Sequence, residues 1–167
     1  MIFLGIGSNL SSSFGDRFKN IDLAISFLEG YKINIIKKSS LYESFSYPNK
    51  SNPKFINSVI AVKTKLPPVD LMSLLISVEE KLERKRSKKN DPRTCDLDII
   101  DYNYQIMNFK HGDLELTLPH KEMINRNFVL YPLREIYPNW THPLTKKNIN
   151  ILIKDLKTSN NEITKLF

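Results

Sequence analysis

Two aspartates separated by one residue, Asp96 and Asp98, have a spacing that suits metal chemistry. They belong to an apolar, β-branched segment, 96–100, which predicts a short strand entered through a proline turn. Successive side chains of a strand point to opposite faces, so both carboxylates are predicted to project from the same side of a sheet. Two such carboxylates repel each other unless a cation or a shared proton lies between them. They suit Mg²⁺, which takes one or two carboxylates together with phosphate oxygens of a substrate.

Cations cluster just before this pair. Arg93 lies three residues ahead of Asp96, where a guanidinium reaches phosphate oxygens near a bound ion. From Arg84 to Lys89 every residue but one is basic. A solvated helix end followed by a loop explains such a run equally well, and a solvated strand end explains the two acids. The position of the run just upstream of the acids favours a role facing phosphate.

Composition narrows the class of protein. The 167 residues are predicted to form one domain, 1–167, and 41% hydrophobic with 26% charged residues is ordinary for a globular chain. The net charge of +7 predicts an anionic partner: nucleic acid, nucleotide or acidic lipid. No apolar run reaches the roughly 20 residues of a membrane helix, and the N-terminus lacks a signal-peptide core. The single cysteine fits a reducing compartment, so we predict a cytoplasmic protein without a membrane partner.

The order of elements predicts the fold class. Strands are predicted at 2–7, 33–42, 55–64 and 96–100, and helical spacing of apolar residues predicts one helix after the first strand and another from Pro67-Pro68. This β-α-β-β-α-β order is ferredoxin-like, an α+β fold with an antiparallel sheet, both helices on one face and the other face free for a ligand. Helices at 127–136 and 150–156 form a predicted C-terminal helical extension.

Several common sites are missing from the sequence. It contains no phosphate-binding P-loop, no dinucleotide fingerprint, no paired-cysteine zinc pattern and no Gly-x-Ser-x-Gly elbow. An RNA-recognition module has the same strand order, but it needs several aromatic residues on its central strands. The third predicted strand offers a single aromatic residue, Phe55, and no glycine. We therefore predict no nucleic-acid partner, with the RNA module kept as the alternative.

Six motifs occur in the order and approximate spacing of one enzyme family. They are Gly7-Ser8-Asn9-Leu10, Asn52-Pro53-x-Phe55-x-Asn57, Glu79-x4-Arg84, Pro92-Arg93-Thr94-x-Asp96-x-Asp98, Leu118-Pro119-His120 and Arg126-x-Phe128-x-Leu130-x-Pro132-Leu133. Across roughly residues 1–140 the chain resembles the 6-hydroxymethyl-7,8-dihydropterin pyrophosphokinases of folate synthesis. The resemblance implies that the β,γ-pyrophosphoryl group of ATP passes to the hydroxymethyl oxygen of the pterin, releasing AMP. It also implies a monomer.

The resemblance further implies a role for each matching residue. Asp96 and Asp98 would hold two Mg²⁺ ions and act in catalysis with Arg84 and Arg93. The residues implied to bind ATP are Arg84, Arg86, Arg93, Ile99, Thr117, His120 and Arg126. Those implied to bind the pterin are Ser44, Phe45, Phe55, Asn57, Asp96 and Phe128.

Three alternatives accompany these assignments. An asparagine on a strand can be satisfied by neighbouring backbone, so Asn57 has a structural explanation as well. Phe55 can equally be ordinary core. Asn90-Asp91 stands where the family often has Trp-Gly, which leaves open how the loop closes over the pterin. A nucleotide-binding relative that has lost pterin activity is a further alternative to the enzyme.

Overall fold

The computed structural model of the chain describes residues 1–85, 90–156 and 162–167. Within these residues the strands are β1 (Ile2–Ser8), β2 (Asn34–Lys38), β3 (Tyr42–Ser44), β4 (Phe55–Lys63), β5 (Asp96–Tyr102), β6 (Met107–His111), β7 (Leu114–Leu118) and β8 (Ile163–Lys165). The helices are α1 (Arg17–Gly30), α2 (Pro68–Lys81), α3 (Asn127–Ile136) and α4 (Ile149–Asp155). The protein is α+β, as predicted.

The main sheet is antiparallel and has β1 near its middle. Its order is β5-β1-β4-β3-β8, and β2 pairs with β4 alongside β3. β1 is buried along nearly its whole length because it has a strand on each side and side chains packed on both faces. The loops that follow β1, β3 and α2 therefore converge on the end of the sheet where β1 finishes and β5 begins.

Two helices cover one face of this sheet. The Asp16 carboxylate caps α1 by accepting from the backbone N–H groups of Phe18 and Lys19, and Pro68 begins α2 at a position where its missing N–H is harmless. Their apolar sides pack on the core-facing residues of the sheet. The buried members from the helices are Ile21, Ala24, Leu28, Leu71, Leu75, Val78 and Leu82.

The opposite face is only partly free, which corrects the prediction that it is open to a ligand. α3 and α4 pack on it around Phe3, Val59 and Ile100, together with the fully buried Trp140. This packing also stabilises the two helices, because it removes their own apolar faces from water. What is left for a ligand is the end of this face beyond α3.

Other elements also differ from the sequence-based expectation. The predicted strand 33–42 is split into β2 and β3, because the Ser39 hydroxyl accepts from Val59 N at 3.0 Å in place of a ladder bond. The hairpin of β6 and β7 and the short strand β8 were not predicted. Among the helices in the described ranges, none is long and apolar enough to cross a bilayer.

Candidate active site

The register of the sheet brings three motif residues side by side. Gly7 of β1 lies opposite Asn57 of β4 on one side and opposite Asp96 of β5 on the other. A methyl group added at that glycine would come within 3.3 Å of Asn57 Oδ1, 3.5 Å of Phe55 Cδ1 and 3.8 Å of Asp96 Cβ. Because Gly7 has no side chain, a flat surface is left between the strands, bordered by Asn57, Phe55 and Asp96. We call this surface the floor at Gly7.

Asp96 and Asp98 project from the same face of β5, as the strand alternation predicted. Leu97 and Ile99 point the other way and are buried in the core beneath α1 and α2. The two carboxylates thus stand near the floor at Gly7, at the open end of the sheet face.

Two guanidinium groups hold Asp96. Arg84 Nη1 lies 2.7 Å and Arg93 Nη1 lies 3.2 Å from the same oxygen, Asp96 Oδ1. Arg84 comes from the segment after α2 and Arg93 from the loop before β5, so two different elements supply the positive charge. Both side chains are largely buried, which strengthens their attraction to the carboxylate relative to an exposed pair.

Asp98 faces a second pair of cationic or polar groups. Arg126 Nη1 is 3.2 Å and His120 Nε2 is 3.8 Å from Asp98 Oδ2. Burial, and after it the neighbouring Asp96 carboxylate, raises the pKa of Asp98, whereas burial lowers the pKa of His120. Glu122 N donates to His120 Nδ1 at 3.2 Å, so the proton of the neutral ring is assigned to Nε2. The imidazole therefore directs a donor toward the carboxylate side of the site.

A cleft of about 270 Å³ opens beside β5. It is lined by Met72, Leu75, Leu97, Asp98, Ile99, Glu115, Leu116, Thr117, His120 and Lys121. His120 N donates to Ile100 O at 2.9 Å, which fixes the end of the β6–β7 hairpin against β5. The structure thus brings Ile99, Thr117 and His120 together next to Asp98, with apolar side chains on the wall from α2.

The amide of Asn57 is held in one orientation. Its Nδ2 donates to Ser44 Oγ at 3.0 Å and to Tyr42 O at 3.3 Å, and Asn57 and Ser44 are both buried. Neighbouring groups therefore satisfy the donor side of the amide, as one of the alternative explanations expected. With both bonds in place the amide oxygen is directed to the floor at Gly7.

Each of the two phenylalanines assigned to ring stacking lies under an arginine. The guanidinium carbon of Arg93 is 5.7 Å from the centre of the Phe55 ring, and that of Arg126 is 5.7 Å from the centre of the Phe128 ring. These are the same arginines that contact Asp96 and Asp98. A chain of contacts therefore joins both aromatic rings to the carboxylate pair.

One assigned residue in the described ranges, Phe45, does not join this arrangement. The Phe45 ring is contacted by the ammonium groups of Lys50 at 5.2 Å and Lys54 at 4.8 Å, and the residue is 38% exposed. Its contacts are thus with lysines of its own loop. Arg86 lies outside the described residues.

Glu79 belongs to the motif Glu79-x4-Arg84 but has no role among the sequence-based assignments, and the structure places it in the site. It is 2% exposed, binds the Arg84 guanidinium and accepts from Leu97 N at 2.7 Å, so it links α2, the arginine and the start of β5. The signal was present, because Glu79 follows Leu75 by four residues and therefore belongs to the buried side of α2. An acid at a core-facing position calls for a functional or paired role.

Asn9 also belongs to one of the motifs without having an assigned role, and it too connects separate parts of the site. Its Oδ1 accepts from Arg93 N at 2.7 Å, and its Nδ2 donates to Ser46 Oγ at 3.2 Å and Pro53 O at 3.0 Å. One side chain thus holds the loop before β5 against the loop after β3.

Cys95 is expected to be unreactive in the folded protein. It is 1% exposed, and burial raises the pKa of its thiol well above the ordinary range, so the reactive thiolate is scarce at pH 8. A disulfide reagent that releases a coloured product on reaction with a thiol should therefore detect no thiol in the native chain and one thiol per chain in denaturant. Fast labelling of the native protein would show that Cys95 is exposed to the site instead of packed in the core.

Magnesium suits the carboxylate pair by its donor chemistry. In the ranges the structure describes, no group of three or more His, Cys, Asp or Glu side chains is placed to hold a metal ion by itself. Asp96 and Asp98 would supply part of a coordination shell, with substrate phosphates and water completing it, which is how Mg²⁺ is usually held. Burial and, after it, repulsion from Asp96 raise the pKa of Asp98, and a cation between the two carboxylates would offset both effects.

The chain is similar to known proteins of one enzyme family. A family model described as 7,8-dihydro-6-hydroxymethylpterin-pyrophosphokinase matches residues 3–138. The 2-amino-4-hydroxy-6-hydroxymethyldihydropteridine pyrophosphokinase of Aquifex aeolicus is 36% identical over 95% of this chain and 91% of that protein. The Bacillus subtilis protein of the same name is 33% identical over 80% of this chain and 76% of its own length.

Longer proteins also contain a similar part. The folic acid synthesis protein FOL1 of Dictyostelium discoideum is 36% identical over 96% of this chain but over 23% of its own length. The crystal structure of wild-type Plasmodium falciparum HPPK-DHPS has the same fold over 92% of this chain and 44% of that chain, with a TM-score of 0.74 and 16% identity. The chain therefore spans nearly all of some relatives and a smaller part of others.

Proposed function

This chain belongs to the 7,8-dihydro-6-hydroxymethylpterin-pyrophosphokinase family, and we propose on that basis that it uses ATP to pyrophosphorylate 6-hydroxymethyl-7,8-dihydropterin in folate synthesis. One observation carries the proposal beyond family membership. Two carboxylates on one sheet face, Asp96 and Asp98, are surrounded by cationic side chains from separate elements, beside both a cleft and an aromatic-lined floor. This arrangement suits an enzyme that binds the triphosphate of ATP next to a flat heterocycle such as a pterin.

The proposed reaction moves two phosphates as one unit. A bond forms between the pterin hydroxymethyl oxygen and the β-phosphorus of ATP, the bond from that phosphorus to the α,β-bridging oxygen breaks, and AMP leaves. The hydroxymethyl proton is released. Such chemistry asks the protein mainly for positioning and for neutralisation of charge, and both are available here without a covalent intermediate.

Asp96 and Asp98 would hold two Mg²⁺ ions, which when bound neutralise the phosphate oxygens and orient the attacking hydroxyl. The arginines on these carboxylates would then donate to phosphate oxygens, because a guanidinium binds phosphate as readily as carboxylate. Those proposed for this role are Arg84, Arg93 and Arg126, with Arg86 added from the sequence. His120 Nε2–H would add a neutral donor to the phosphates, and Ile99 and Thr117 would contact the nucleoside in the cleft.

The pterin would lie on the floor at Gly7. Phe55 and Phe128 would stack on its ring, and the Asn57 amide, oriented by Ser44, would pair with its edge. Phe45 remains a proposed contact on the loop after β3, although its present contacts are Lys50 and Lys54. Asp96 would contact the hydroxymethyl end, where the pterin meets the triphosphate.

Replacing Asn57 by alanine is expected to weaken pterin binding roughly tenfold to a hundredfold, because a buried edge of the heterocycle loses its hydrogen-bond partner. Binding of ATP should change less than twofold. Titration of each ligand by calorimetry measures both affinities. The matched control is Asn20→Ala, which removes another buried, hydrogen-bonded asparagine, on α1, and should leave pterin affinity unchanged. Equal pterin affinity in wild type and Asn57→Ala would remove Asn57 from the pterin site.

The proposed function is tested by mixing the protein with ATP, Mg²⁺ and 6-hydroxymethyl-7,8-dihydropterin and separating the nucleotides by chromatography. We expect AMP to form only when all three are present, in a one-to-one ratio with pyrophosphorylated pterin. ATP binding without AMP would favour the nucleotide-binding relative that lacks pterin activity. Retention on RNA that falls steeply with salt, without AMP, would favour the RNA module.

Finer features of the chain remain proposals. We propose that residues 1–167 act as one pyrophosphokinase domain, and that β2 and β3 are the two halves of the second strand of a ferredoxin-like sheet, which the order β5-β1-β4-β3 supports. The monomeric state and the cytoplasmic location stay predictions. Sedimentation equilibrium with and without ATP checks the first of these.

A further inference from the structure

Glu135 of α3 is contacted by two separate parts of the chain, the segment 40–42 and β8. The Tyr42 hydroxyl donates to its Oε2 at 2.6 Å, and Ser40 donates to its Oε1 through the backbone N at 3.0 Å and through Oγ at 2.9 Å. Lys165 Nζ of β8 lies 3.5 Å from Oε2. Tyr42 is 7% exposed, so its hydroxyl lies in a place where an unpaired donor would be costly.

Tyr42, the donor of this hydrogen bond, contacts Asn57, which forms one side of the proposed pterin site. Tyr42 lies opposite Asn57 in the β3–β4 ladder, and its carbonyl accepts from Asn57 Nδ2. Ser44, two residues further on, is on the same face of the strand and accepts from the same amide. The position of Tyr42 therefore sets the position of both polar groups that orient Asn57.

Glu135, the acceptor, lies on α3, the helix that carries Phe128 on the other side of the proposed pterin site. Glu135 follows Phe128 by seven residues, which is about two turns, so the two side chains share one face of α3. A bond at Glu135 thus limits both the rotation of α3 and its distance from β3. In the described ranges this is the side-chain hydrogen bond that joins β3 directly to α3.

We propose that Tyr42 and Glu135 are positioning residues that set the width of the pterin slot, because they fix Phe128 of α3 relative to Phe55 and Asn57 of β4. This inference rests on the proposed function, because it concerns the substrate of that same site. A flat heterocycle gains its stacking energy only at van der Waals distance, and a gap of 0.5–1 Å already forfeits about a quarter to a half of each contact. Among the described residues that line the ATP cleft there is neither Tyr42 nor Glu135, so the two substrates should respond differently.

Tyr42→Phe is the direct test, since it removes one oxygen atom and keeps the packing. We expect KM and Kd for the pterin to rise roughly three- to tenfold, as for loss of one hydrogen bond, while KM for ATP changes less than twofold. Saturating pterin should restore kcat to within about threefold of wild type. Glu135→Gln, which keeps the size of the side chain, should shift the pterin constants in the same direction.

Tyr102→Phe is a closely matched control. Tyr102 is also 7% exposed and its hydroxyl also makes a 2.6 Å hydrogen bond, to Leu66 O on the opposite side of the sheet. It should lower the melting temperature about as much as Tyr42→Phe without changing either KM. Equal pterin constants in the two tyrosine variants would overturn the inference while AMP formation by the wild type keeps the proposed function. Failure of the wild type to form AMP would overturn both.

Discussion

An Asp96→Asn protein is expected to fold normally and to form AMP at about a thousandth of the wild-type rate or less. Loss of one preorganised electrostatic contact in an active site lowers the rate about 10²–10³-fold, and this substitution also removes a proposed metal ligand. The change is isosteric, and the amide oxygen can still accept hydrogen bonds from Arg84 and Arg93, so the fold should survive. Single-turnover AMP formation and thermal unfolding measure the two effects separately.

The control for this variant is Asp22→Asn. Asp22 is also an ion-paired aspartate, bonded to Lys38, but it lies on α1 away from the carboxylate pair. Its replacement should leave turnover within twofold. A rate for Asp96→Asn close to that of the control would exclude Asp96 from the mechanism.

Arg84→Met is expected to reduce both stability and activity. Glu79 would keep its buried carboxylate but lose its Arg84 partner, and breaking such a pair costs about 3 kcal/mol or more in the free energy of unfolding. For a chain of this length that corresponds to a fall in Tm of roughly 6–12 °C. Turnover should fall about a hundredfold to a thousandfold, because a phosphate-binding cation is lost as well.

A second substitution separates the two effects. In Glu79→Gln/Arg84→Met the buried charge is gone and the amide oxygen can still accept from Leu97 N, so we expect most of the lost stability to return. Turnover should stay as low as in Arg84→Met. If activity returned together with stability, Arg84 would be a structural residue and its proposed contact with phosphate would be wrong.

Features that depend on local periodicity were accessible from the sequence. The common face of Asp96 and Asp98 follows from the two-residue period of a strand, and α2 follows from its apolar stripe after Pro67-Pro68. The helix at 127–136 was predicted with its bounds, despite Pro132. The gathering of site residues was expected from a family resemblance, since no local pattern places Thr117 beside Asp98.

Features that depend on pairing between distant segments were not accessible. β8 forms because it pairs with β3 across more than 100 residues, and the Tyr42–Glu135 bond joins residues that are 93 apart. The hairpin of β6 and β7 is different, because Gly112-Asp113 between two alternating runs is a recognisable turn signal, and Gly112 has a φ of 58°.

We propose above all that the Asp96–Asp98 pair holds the magnesium-bound triphosphate of ATP against the pterin. The most direct test is a crystal structure of the complex with Mg²⁺, 6-hydroxymethyl-7,8-dihydropterin and an ATP analogue whose α,β-bridging oxygen is replaced by methylene. We predict Mg²⁺ at about 2.0–2.1 Å from oxygens of both carboxylates, with the guanidinium groups of Arg84 and Arg93 moved onto phosphate oxygens. Nucleotide bound elsewhere, with both arginines still on Asp96, would contradict it.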